Sequence, residues 1–198
     1  MGERKGSRHE VLHDNAHALL MYAVRKECRE KESKLTMRIM KHGKPYFVEI
    51  DDKGREKATD IYFNLSHSQE MSVCVLSRQP VGIDIEKIRP YNVKVAHRIL
   101  SEEEWVSLQK SEDKDRDFIR FWTLKEAYGK YTGEGLGTDF KNVKFKWDDN
   151  GNIFCSDDKV NIFQKELEEN YILSLCVKKG PGNLKLTNKW LDDRIYTC

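Results

Sequence analysis

Apolar residues in the first part of the chain recur at helical spacing. Val11, Leu12, Ala16, Leu19, Leu20, Ala23 and Val24 share one side, which predicts a long amphipathic helix over 10–32. The period then shortens. Residues 36–41 and 45–50 read as short strands, 51–60 as a polar, mobile surface loop around Gly54, and 61–65 and 71–77 as further strands. Gln79-Pro80 marks a turn, after which Val81-Gly82-Ile83-Asp84-Ile85-Glu86 alternates strictly. As a strand this segment puts Gly82, Asp84 and Glu86 on one face and Ile83 and Ile85 on the other. Two carboxylates are thereby paired beside a residue without a side chain, which would leave room for a ligand to approach the backbone.

The second half predicts a helix over 92–100, then a capping box in which Ser101 is answered by Glu104, with Trp105 on the new helix. A long helix over 115–131 turns Phe118, Phe121, Trp122 and Leu124 toward a core, and Gly133, Gly135 and Gly137 end it. Glu126 and Lys130 lie one turn apart on that helix. Val143, Phe145 and Trp147 alternate as a strand, Asp149-Asn150-Gly151 predicts a hairpin turn, and 153–155 returns. Segments 160–167 and 171–177 predict a second hairpin, and Gly180-Pro181-Gly182 breaks the chain before a short strand-and-helix tail. The class implied is α+β, with two similar lobes meeting at the Gln79-Pro80 crossover.

Length and charge narrow the function. At 198 residues the chain can bury a sizeable core, and 35 basic against 33 acidic residues leave a net charge of +2. No bulk field points to nucleic acid or a membrane as partner, so any phosphate site must be local. The five cysteines are an odd number without CxxC spacing, against a disulfide framework or a zinc knuckle and in keeping with a reducing compartment. The charged start MGERKGSRHE lacks the apolar segment of a secretory signal, and Gly6 breaks the myristoylation pattern. The longest apolar run, 18–24, is far short of a membrane span. A soluble, cytoplasmic protein is expected.

Asp84, Glu86 and Glu126 with Lys130 suit a divalent ion holding a phosphate, because hard oxygen ligands favour Mg²⁺. Taken singly these residues also fit a solvated strand face and an ordinary helix ion pair of about 0.3 kcal/mol. Adjacent Ser66 and His67 do not suggest a serine hydrolase: no G-x-S-x-G elbow is present, and strand neighbours point to opposite faces. His9, His13 and His17 would line up on a helix, where a solvated helix start outweighs a metal site. The glycine-rich stretch 133–137 follows a helix rather than opening one, so it reads as a stop.

Gly82-Ile83-Asp84-Ile85-Glu86, followed by Trp122-Thr123-Leu124-Lys125-Glu126-Ala127 with Lys130, resembles the paired signature of the 4′-phosphopantetheinyl transferases. Gly43-Lys44-Pro45-Tyr46 and Asn64-Leu65-Ser66-His67-Ser68 are similar to two blocks that contact coenzyme A in that family, and all four stand in the family's order. The whole chain apart from its ends resembles the Sfp-type branch. That resemblance implies a pseudo-dimer of two similar lobes in one chain, each a long helix packed on a small antiparallel sheet. Lobe 1–79 would take the nucleotide end of coenzyme A, and lobe 80–198 would carry the metal and catalytic motifs.

The implied reaction moves the phosphopantetheine arm of coenzyme A onto a serine of an acyl or peptidyl carrier protein, with Mg²⁺. Residue by residue, Asp84, Glu86 and Glu126 would be metal ligands, and Lys130 would meet a phosphate oxygen. Glu126 and Lys130 would be catalytic, Glu126 taking the serine proton. Lys44, Asn64, Ser66, His67, Asp84 and Lys130 would bind coenzyme A. The carrier would dock along 101–114 and 128–136, and the protein would act as a monomer. Most Sfp-type members carry further N-terminal sequence whose basic residues reach coenzyme A phosphates, whereas this sequence starts close to its first long helix, and Arg4, Lys5 and Arg8 would be expected to substitute. Two rival readings are a non-catalytic coenzyme A or carrier-protein binding module, disfavoured by the intact acid set, and a metal-dependent phosphohydrolase, separable by its product.

Overall fold

The structure is a computed structural model that describes residues 8–28, 34–40, 43–134, 139–148 and 150–180, with side chains on the first helix described from residue 14 onward. The predicted tail beyond 181 and the turn residue Asp149 lie outside the described residues.

Helix α1 (Arg8–Glu27) buries Ala16, Leu20 and Val24, one per turn. It packs on strands β4 (Tyr62–Ser68) and β5 (Met71–Ser77), and Leu20 and Val24 join Phe47, Ile61 and Phe63 in one apolar cluster. Burying such side chains contributes roughly 1.5–3 kcal/mol each. Strands β1 (Leu35–Ile39), β2 (Pro45–Ile50) and β3 (Glu56–Ala58) form a separate antiparallel sheet, while β4 and β5 pair only with each other by backbone bonds.

Strand β3 corrects the expectation of a plain loop over 51–60. The Asp51 carboxylate accepts hydrogen bonds from Lys53 N, Arg55 N and Arg55 Nε, each at 2.9 Å, and Gly54 supplies φ +72°. That turn folds Glu56–Ala58 back onto β2. All three β3 residues are exposed, so no apolar alternation announced the strand.

The C-terminal half centres on an antiparallel sheet in the order β6 (Val81–Lys87), β10 (Tyr171–Lys178), β9 (Val160–Leu167), with helix α4 (Lys114–Thr132) packed across it. Asp113 caps the start of α4 through Arg116 N at 3.1 Å, and Gly133, left-handed at φ +81°, ends it. One face of β6 and β10, carrying Val81, Ile83, Leu175 and Val177, meets Val73 and Val75 of β5. Helices α2 (Val93–Ile99) and α3 (Glu102–Lys110) cover the other end of α4, and the Ser101–Glu104 capping box forms as expected. The hairpin β7 (Phe145–Trp147) and β8 (Ile153–Cys155) completes the fold.

The fold is thus a mixed helix and sheet architecture with small antiparallel sheets. Among the described residues no helix is long and apolar enough to cross a membrane. Cys28, Cys74, Cys155 and Cys176 carry free thiols.

Candidate active site

The polar face of β6 is turned toward α4, and Gly82 sets how close the two come. A Cβ at residue 82 would lie 2.1 Å from Ala127 O and 2.4 Å from Tyr131 N. The space expected for a ligand beside Gly82 is therefore filled by the α4 backbone. Glycine here serves helix–strand contact, and it brings the α4 side chains within reach of Asp84.

Asp84 is 4% exposed. Its Oδ1 accepts from Ser66 Oγ and from Lys130 Nζ, both at 2.7 Å, while the buried Oδ2 has no partner. Burial pushes the Asp84 carboxyl above its usual range, and the Lys130 ammonium opposes that rise. Glu126 comes from α4, and its buried Oε1 is likewise without a partner. Burial, together with the charges of Asp84 and Glu86, pushes Glu126 up to about 7. Glu86 Oε2 accepts from Ser68 Oγ at 2.7 Å and pairs with Arg89 at 3.4 Å.

Partnerless buried carboxylate oxygens carry a large desolvation cost and call for a cation. Two such oxygens, on facing elements and belonging to electrostatically coupled acids, fit a hard divalent ion. Among the described residues no three acidic, histidine or cysteine side chains converge on one ion position as they stand. Glu86 is held in place by Ser68 and Arg89.

The other expected residues divide by strand face. Asn64, Ser66 and Ser68 are buried on the side of β4 that meets β6. Asn64 Oδ1 accepts from Ile83 N at 3.0 Å, and Ser66 Oγ accepts from Ile85 N at 3.3 Å and Lys130 Nζ at 3.0 Å. His67 lies on the opposite face of β4, the one whose Phe63 and Leu65 pack under α1, and so is not brought to Asp84. Lys44, from the turn between β1 and β2, donates to the carbonyls of Lys130 and Tyr131 at the C-terminal end of α4, and burial lowers its pKa. It thus occupies the negative pole of the helix that carries Glu126 and Lys130.

Several supporting residues escaped sequence reasoning. Ser174, paired in register with Asp84, donates to Thr123 Oγ1 at 2.8 Å. Gln164 Nε2 donates to Arg120 O, Thr123 Oγ1 and Ser174 Oγ, so α4 is bonded to β9 and β10 one turn before Glu126. A polar Ser174 inside the apolar run of β10 was the available signal. On the far side of α4, Lys125 is fully buried against Glu104. The side chains of Arg8, His9 and His13 lie outside the described residues, as do Arg4 and Lys5. A surface depression between β8 and β9, lined by Phe154, Asp158, Phe163 and Lys179, shares no residue with the carboxylate site.

Residues 80–176, which contain β6, α4 and both orphaned oxygens, match the family model of the 4′-phosphopantetheinyl transferase superfamily. The chain is similar to a 4′-phosphopantetheinyl transferase of Aneurinibacillus migulanus, 34% identical over 152 residues that make up 74% of this chain and 60% of that protein. It is also similar to the 4′-phosphopantetheinyl transferase Sfp of Bacillus subtilis, 28% identical over 80% of this chain and 70% of that protein. The match to the first relative, like that to a second Bacillus subtilis transferase, spans about 60% of the relative's length. The crystal structure of Thermotoga maritima holo-[acyl-carrier-protein] synthase aligns with 50% of this chain and 62% of that one, at 26% identity and a TM-score of 0.44.

Proposed function

We propose that the chain transfers the 4′-phosphopantetheine arm of coenzyme A to a serine of an acyl or peptidyl carrier protein. The observation that carries this reading is the pair of buried, partnerless oxygens, Asp84 Oδ2 and Glu126 Oε1, on the two elements that hold the family signature.

Asp84 and Glu126, with Glu86, would hold Mg²⁺, which when bound would neutralise charge on the pyrophosphate oxygens of coenzyme A. Lys130 now satisfies Asp84 Oδ1 and Ser66 Oγ, and its ammonium is the nearby donor that would turn to a phosphate oxygen as the substrate arrives. Glu126 is the group to receive the serine proton, directly or through a metal-bound water; a cation on the same carboxylate lowers its pKa, so the roles of ligand and base compete. Lys44 and His67 belong to the expected coenzyme A surface at the nucleotide end.

Both halves contribute. Ser66 comes from the expected lobe 1–79, Asp84 and Glu126 from 80–198, and each half sets a long helix on a small antiparallel sheet. This supports a pseudo-dimer within one chain, active as a monomer, with the carrier docking along 101–114 and 128–136. The free thiols suit a reducing compartment such as the cytoplasm.

The direct test mixes the protein with Mg²⁺, coenzyme A and an apo carrier domain and weighs the carrier. A gain of one phosphopantetheine arm supports the reading. No gain across several carriers overturns it, and release of free phosphopantetheine without carrier loading would mark a phosphohydrolase instead.

A further inference from the structure

Strand β6 lacks a backbone partner on its β4 side, since the two strands belong to different sheets. The row of amides left without backbone partners is met by side chains. Ile83 N donates to Asn64 Oδ1 at 3.0 Å, Ile85 N to Ser66 Oγ at 3.3 Å, and Lys87 N to Ser68 Oγ at 3.2 Å, each pair 19 residues apart in sequence. Side chains two residues apart on β4 thus serve amides two residues apart on β6, like the teeth of a comb.

A hydroxyl that accepts from an amide has its own proton free to give. Ser66 gives it to Asp84 Oδ1 and Ser68 gives it to Glu86 Oε2, both at 2.7 Å and both across an 18-residue separation. One construction is therefore used twice: each serine is pinned by one backbone amide and holds the carboxylate of the residue before it. Ser66 Oγ is moreover saturated, with its proton on Asp84 and its two lone pairs taken by Ile85 N and Lys130 Nζ. While Lys130 stays on it, Ser66 has no hydrogen-bonding capacity left for coenzyme A, the ligand the family resemblance gives it. Holding Asp84 by Oδ1 leaves Oδ2 as the oxygen available to a cation.

We propose that Ser66 and Ser68 are positioning residues for the metal carboxylates, Ser68 orienting Glu86 as Ser66 orients Asp84. The inference rests on the transferase reading for the presence of a metal. Ser68 gives the cleaner test because Lys130 bonds Ser66 and not Ser68. Hydrogen-bond partners of metal ligands typically contribute roughly 10- to 100-fold in affinity.

The experiment titrates Mn²⁺, as a spectroscopic stand-in for Mg²⁺, into the full chain and reads free ion by electron paramagnetic resonance. Ser68→Ala should weaken binding roughly tenfold and raise the Mg²⁺ concentration for half-maximal transfer, with much of kcat regained at saturating Mg²⁺. Asn92→Ala removes the α2 cap, touches none of the hydrogen bonds that hold Asp84 and Glu86, and controls for lost stability; it should leave Mn²⁺ affinity unchanged. In a Glu86→Gln background Ser68→Ala should have little further effect. Wild-type affinity in Ser68→Ala, or an undiminished loss in the Glu86→Gln background, overturns the inference. A wild-type chain that binds no Mn²⁺ overturns the metal reading beneath it, and the wild-type titration alone reveals that case.

Discussion

Lys125 and Glu104 form an ion pair at 2.8 Å with side chains 1% and 2% exposed. Lys125 Nζ also donates to Phe140 O and Val143 O, at 2.6 and 2.8 Å, and Glu104 accepts from Ser101 N and Phe145 N, both at 2.8 Å. Burial lowers the Lys125 pKa while Glu104 opposes the drop. One residue of α4 therefore ties down α3 and the chain before β7, while its neighbour Glu126 belongs to the carboxylate site.

Lys125→Met should destabilise the protein by about 3–5 kcal/mol, because it strands the Glu104 charge and frees two buried carbonyls. Adding Glu104→Gln should recover part of that loss. Urea unfolding of both single variants and the double variant measures the coupling, and strictly additive losses would show that the two side chains act independently.

Gly82→Ala puts a methyl group against backbone atoms of α4, which cannot swing aside as a side chain can. Overpacking of this kind costs about 1–3 kcal/mol. Because α4 carries Glu126 and Lys130, transfer should fall by more than the melting temperature suggests. Thermal melts beside carrier-loading rates check this, and unchanged rates would mean that α4 yields without disturbing the site.

Glu126 titrates near 4.5 in an unfolded chain and near 7 here. Between those values the folded state keeps a proton that the unfolded state has lost. This group's contribution to metal-free stability is therefore greatest below about 4.5, declines as pH rises, and levels off above about 7. Asp84, also raised, acts with the same sign. Glu126→Gln should abolish transfer yet melt higher than wild type at about pH 8 in chelator, with the gap closing toward about pH 5. A gap that widens on acidification would contradict the raised value.

The parts of the site that follow a period were legible in the sequence. Alternation around Asp84 and Glu86 and the helical spacing through Glu126 and Lys130 gave β6 and α4, and short polar side chains gave the α3 cap. What stayed hidden depended on contacts between distant segments. Gly82 looked like an opening because a sequence does not show the helix lying over it. Nothing in the sequence marks Lys125 as a core residue, since lysine is almost never fully buried unless paired, and its partner lies 21 positions upstream on another helix. Asn64 and Ser66 read as coenzyme A contacts from the family resemblance alone, and the sequence does not show that they, with Ser68, also bond the neighbouring edge of β6.

The β4–β6 seam also restricts how the two halves can misalign. An ordinary ladder tolerates slippage because every rung is chemically alike, but here the rungs are an amide, a hydroxyl and a hydroxyl. A slip of one residue turns all three away from β6, and a slip of two sets Asn64 or Ser68 beside Asp84 in place of Ser66. Correct registration of the halves and correct bonding of the two β6 carboxylates are then a single event, so a molecule folded out of step would be one whose Asp84 and Glu86 have lost their serines.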